Sequence, residues 1–136
     1  MRKSLVVAQM LVRLAGAVQI VLGLLIWFGI GASLVQLHVS IGGIFVLALW
    51  AVALIALFAL PSRGFAFLTL IWGAVVLWLG MAQTTMMVGP MHWVIRVVHL
   101  LVGLAAIGMG ERLTAAVKRH RGWVRGGDRN TDAPAS

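Results

Sequence analysis

From Ile41 to Leu60 the chain reads IGGIFVLALWAVALIALFAL, twenty residues without a formal charge. A run of this length suits a helix that crosses a bilayer, which needs about 20 mostly apolar residues. Three further stretches have the same character. The expected spans are 10–31, 37–60, 65–88 and 91–112. With 62% hydrophobic and 10% charged residues and a mean hydropathy of +1.05, an ordinary soluble domain is excluded. The sequence therefore predicts an all-α polytopic membrane protein, a four-helix transmembrane bundle over residues 1–112. A basic, partly disordered tail is expected over 113–136. Pro61-Ser62-Arg63-Gly64 combines a helix breaker, a charge and a flexible residue, and marks the clearest joint.

The first residues, MRKSLVVAQMLVRLAG, join a basic start to an apolar run, as a signal peptide does. Arg13 interrupts that run and no small-residue cleavage site precedes a polar domain, so the segment reads as the start of the first span. The net charge of +8 is explained by where the charges fall. Ten of the eleven Lys and Arg residues lie at the N-terminus, between spans two and three, or in the tail; Arg96 is the exception. By the positive-inside rule those three places share the cytoplasmic side of a bacterial-type membrane. The basic tail KRHRGWVR suits contact with anionic headgroups, and a nucleic-acid partner is not expected. With no cysteine, disulfides, thiolate metal sites and iron–sulfur clusters are excluded.

The chain also repeats itself. GAVQIVLG (Gly16 to Gly23) matches GAVVLWLG (Gly73 to Gly80) at an offset of 57, and HVSIG (His38 to Gly42) matches HLLVG (His99 to Gly103) at an offset of 61. The four extra residues fall in the loop near Gln83 to Pro90, where insertions are tolerated. Spans one and two thus pair with spans three and four as two parallel two-helix repeats. A pseudo-twofold axis along the membrane normal places His38 and His99 toward the outer face, opposite each other.

Imidazole at membrane depth is costly unless it pairs, lines water or binds a metal. Two imidazoles on facing helices of a bundle form the axial pair of a six-coordinate haem. Gly42 and Gly103 lie one turn from these histidines, where a missing side chain lets a porphyrin edge approach. Gly16, Gly23, Gly73 and Gly80 open similar room on the partner helices. Interhelical packing is the competing reason for both residue types. Arg96 continues a stripe with His92 and His99 at i, i+4 and i+7. It is placed to meet a haem propionate in a bidentate contact. His92 competes with His99 as ligand, since counting 1.5 Å per residue from the cytoplasmic ends puts it closer in depth to His38. Met86, Met87 and Met91 read as interfacial packing, and His120 as a solvated tail residue.

The stretches QIVLGLLIWFG, LHVSIGGIFVLALW and VVHLLVGL resemble one four-helix half of the haem A synthase family, over most of residues 14–110. That family has two such halves, with histidines on the second and fourth helix of each. Its catalytic half carries a glutamate three residues before a histidine that is followed by arginine; Val35 and Val39 stand at those positions here, and the outer-loop cysteine pair is missing. The resemblance is therefore to the cofactor-holding half, and it implies haem b without methyl-oxidising catalysis.

These readings converge on a membrane b-type cytochrome with one bis-histidine haem near the outer face. Its iron would be held by His38 and His99, with Arg96, Gly42, Gly103 and His92 around the cofactor. The expected role is electron transfer, or membership as a haem-bearing subunit in a larger membrane complex, rather than catalysis. A redox partner protein or quinone is expected, since one haem spans only part of the bilayer. The alternative is a non-redox structural or accessory subunit whose histidines serve helix packing.

Overall fold

The computed structural model describes residues 2–87 and 89–131. Four long helices follow one another: α1 (Arg2–Trp27), α2 (Val35–Ala59), α3 (Gly64–Ala82) and α4 (His92–Thr131). A single 3-10 turn, Ala32–Leu34, leads into α2. All four helices are long and apolar enough to cross a membrane, and the chain is a multi-pass membrane protein built as a four-helix bundle. Pro61 and Pro90 both lie between helices, so among the described residues no helix loses a backbone donor to proline.

Neighbours in sequence are neighbours in space, and α4 closes back onto α1. Across the middle, α2 and α4 approach each other, whereas α1 and α3 have no backbone approach among the described residues. The bundle is thus flattened along the α2–α4 diagonal. Helix α2 is its spine. Phe45, Val46, Leu49, Val52, Ala53 and Ala56 form its buried stripe at helical spacing. That stripe packs on Leu5, Ala8 and Val12 of α1 and on Ala106, Leu113 and Val117 of α4. The outside is apolar as well, with Phe58, Met81, Leu14 and Ile71 among its most exposed side chains. An all-round apolar helix surface of this kind is solvated by lipid rather than by water.

The helix limits differ from the expected spans for identifiable reasons. Helix α1 begins at Arg2 rather than near residue 10, because Leu5, Ala8 and Gln9 are buried in the bundle. It ends at Trp27, where Gly29 and Gly31 take positive φ values of 76° and 96°. Helix α3 stops at Ala82 rather than near 88; the hydroxyls of Thr84 and Thr85 donate back to Met81 O and Ala82 O. Helix α4 continues past residue 112 to Thr131, through part of the stretch whose composition reads as disordered. Leu113 and Val117 hold the first part of this extension against α1. Residues 132–136 lie outside the described residues.

Polar side chains fasten the helices at several heights. The Trp50 indole donates to Leu70 O across α2 and α3 at 3.0 Å, and the Trp72 indole donates to Val102 O across α3 and α4 at 3.0 Å. Nearer the end that carries the termini, Glu111 accepts two hydrogen bonds from Arg13, each 2.7 Å, and one from Gln9 at 2.9 Å. Lys118 Nζ then donates to Gln9 Oε1 at 2.7 Å. Arg13–Glu111 is the sole salt bridge among the described residues, and it joins the first helix to the last. Within this network Glu111 offsets the charge of Arg13, and both ends of the Gln9 amide are used, its oxygen by Lys118.

Candidate functional site: a histidine pair across the bundle diagonal

His38 lies in the first turn of α2, and His99 in the second turn of α4. Because these helices meet across the flattened diagonal, the two imidazoles come together. Their ring centroids are 6.3 Å apart and the ring planes are inclined by 56°. The Nδ1 atoms of both rings are buried and have no hydrogen-bond partner. A buried nitrogen left in this state is costly, so the pair is a place where a ligand or a small rearrangement gains stability.

Glycine positions shape the walls. A Cβ on Gly23 of α1 would stand 3.5 Å from His38 Cε1, and a Cβ on Gly80 of α3 would stand 3.3 Å from His99 Cε1. Gly23 and Gly80 are related by the offset of 57, and His38 and His99 by the offset of 61. The internal repeat therefore reappears as two equivalent glycine–imidazole contacts. Each larger residue on α1 or α3 would occupy the flank of a histidine ring.

The other glycines behave differently. A Cβ on Gly42 would fall on Nε2 of Gln19, so its space is filled by that side chain. Gly103 opens on nothing within 4 Å. Gly16 makes room for Ile107 and Phe45, and Gly73 for the Trp50 indole, well below the histidines.

His92 sits at the start of α4, seven residues and about 10 Å along the helix from His99. Its Nδ1 lies 3.3 Å from Met86 O and ties the α3–α4 loop to the helix. The structure thus brings His38 to His99 and leaves His92 at the loop. The depth count that favours His92 takes residue 112 as the end of the span, whereas α4 runs on to Thr131. Arg96 is partly exposed between these two histidines, with no carboxylate partner among the described residues. His120 lies far along α4 from the pair.

Gln19, one of three glutamines with Gln36 and Gln83 whose amides the sequence leaves free to bond across helices or line a cavity, does bond across helices. Its Nε2 donates to the backbone oxygen of His38 at 2.7 Å, and its Oε1 is buried without a partner. The sequence marks it as an amide one turn before Gly23 but does not mark its acceptor. No protein-family model, curated protein or solved structure matches the chain.

Proposed function

We propose that the chain is a membrane b-type cytochrome whose His38 and His99 hold one haem between α2 and α4. The observation that carries this reading is the 6.3 Å separation of the two rings. A metal–imidazole bond is about 2.0–2.1 Å. Two rings on opposite sides of one ion therefore have centroids about 6 Å apart, once about 1 Å from nitrogen to ring centre is added for each.

The donor set favours a porphyrin over a bare ion. Among the described residues no three His, Asp or Glu side chains gather, whereas a structural zinc site takes four protein ligands. Two imidazoles suffice as the axial pair of an iron that already has four equatorial nitrogens. The flanks next to the rings are those where Gly23 and Gly80 withhold side chains. Arg96, one turn from His99 toward the loop end, is the cation available to a propionate.

Bound there, the haem supplies a one-electron couple. The protein's own residues would do the rest: His38 and His99 would both be committed to holding the group, and the apolar helices would exclude water from it. This favours electron transfer, or a haem-bearing place in a larger complex, over catalysis at the iron. The redox partner would be a protein or a quinone. The basic residues near the chain ends and at Arg63 support an orientation with both termini cytoplasmic, in a bacterial-type membrane.

The test is spectroscopic. Protein purified from haem-replete membranes should show a reduced-minus-oxidised α band and a bis-imidazole low-spin signal. His38→Ala and His99→Ala should each abolish the six-coordinate spectrum, and His92→Ala should keep it. A colourless wild-type preparation would leave helix packing as the role of the histidines and sink the proposal.

A further inference from the structure

Two of the buried polar atoms without partners belong to residues that are already joined. They are Oε1 of Gln19 and Nδ1 of His38. The Gln19 side chain crosses from α1 to α2 and its Nε2 donates to the backbone oxygen of His38 at 2.7 Å. This contact fixes which end of the amide is which, because a carbonyl oxygen can be approached only by the NH2 group. The amide oxygen is then the free end of a side chain already anchored to His38. Gly42, one turn further along α2, supplies the space, since any Cβ there would overlap Gln19 Nε2.

The arrangement is not shared by the second half of the repeat. The counterpart of Gln19 at the offset of 57 is Val76, which has no polar atom, and the counterpart of Gly42 is Gly103, which faces open space. A polar device has therefore been built beside one histidine only.

We propose that Gln19 is the positioning residue of His38. Its amide oxygen accepts the Nδ1–H of the imidazole while its amide nitrogen holds the backbone carbonyl of the same residue. A small rotation of the ring completes the second bond and satisfies both orphaned atoms, each of which is otherwise a desolvated group without compensation. The tautomer that results carries its proton on Nδ1 and leaves the Nε2 lone pair free. In its purpose the inference rests on the haem reading: a ligating histidine commonly donates its other ring N–H to an oxygen, which fixes the ring and raises its basicity. In its geometry it stands on Gln19, His38 and Gly42 alone.

The test uses the full chain, labelled with nitrogen-15 histidine and embedded in phospholipid nanodiscs without haem. The His38 resonances are assigned by their loss in His38→Ala. Wild-type His38 should carry its proton on Nδ1. Gln19→Met, close in size but without the amide, should move a large share of that proton to Nε2. Gln19→Glu, which keeps an acceptor oxygen, should restore the Nδ1–H form. Unchanged helix content in both variants shows that the bundle is intact. A wild-type His38 protonated on Nε2, or a tautomer indifferent to Gln19→Met, overturns the proposal. In haem-loaded protein, Gln19→Met should weaken haem retention about 10–100-fold and shift the midpoint potential upward. If wild-type protein takes up no haem, the functional reading fails while the tautomer measurement still decides the role of Gln19.

Discussion

Gly80 lies against His99 so closely that a Cβ at that position would be 3.3 Å from the imidazole Cε1. Its repeat partner makes the same approach to His38. The histidine pair is therefore held from the sides by absences, and adding bulk at those places should disturb it.

Gly80→Leu should displace the His99 ring, and the overpacking should cost about 1–3 kcal/mol. Gly103→Leu, where nothing stands within 4 Å, should have little effect. Unfolding in mixed detergent compares the two variants. An equal loss at both positions would show that glycine matters here for the helix backbone and not for the ring.

Glu111→Leu and Arg13→Met should each destabilise the bundle, because each leaves the other charge without the ion pair that joins α1 to α4. The double variant Arg13→Met with Glu111→Leu should recover much of the loss. The readout is the unfolding midpoint, and additive effects of the two single changes would contradict the pairing.

Leu113→Ala should cost about 2–5 kcal/mol, as for a large buried aliphatic side chain, since Leu113 is 2% exposed. Val98→Ala, on the exposed side of the same helix, should be nearly neutral. This comparison reports whether α4 is part of the bundle beyond the length a bilayer requires.

Trp50→Phe keeps the ring but removes the donor to Leu70 O. Loss of one interhelical hydrogen bond in a membrane protein averages about 0.6 kcal/mol and reaches about 1.7. A similar loss is expected here. A larger one would point to the packing of the indole against Gly73 rather than to its N–H.

The four spans were legible because twenty apolar residues in a row have few physical alternatives. Their ends were less so. Helix α1 begins at Arg2 rather than near residue 10 because Leu5 and Ala8 are buried in the bundle, a matter of packing that hydropathy does not encode. The histidine pair was legible through the repeat, which gave His99 a counterpart that His92 lacks. That Gln19 could bond across helices was legible, but its acceptor and the link through Glu111 were not. Gln19 bonds to a backbone oxygen, and every residue has one, so no sequence pattern marks the acceptor. Arg13 and Glu111 are 98 residues apart, and only the closure of α4 onto α1 brings them together.

Transferred through the repeat offsets, Arg13 corresponds to Leu70 and Glu111 to Trp50. The two seams of the bundle are thus counterparts with different chemistry, one an ion pair and the other an indole on a carbonyl. Two copies of the first half, assembled alone, would set Arg13 against Trp50; two copies of the second would set Glu111 against Leu70. Either homodimer strands a charge in the membrane, and only the mixed assembly cancels both. If the chain arose by duplication, the ion pair is the change that ended the independence of its halves.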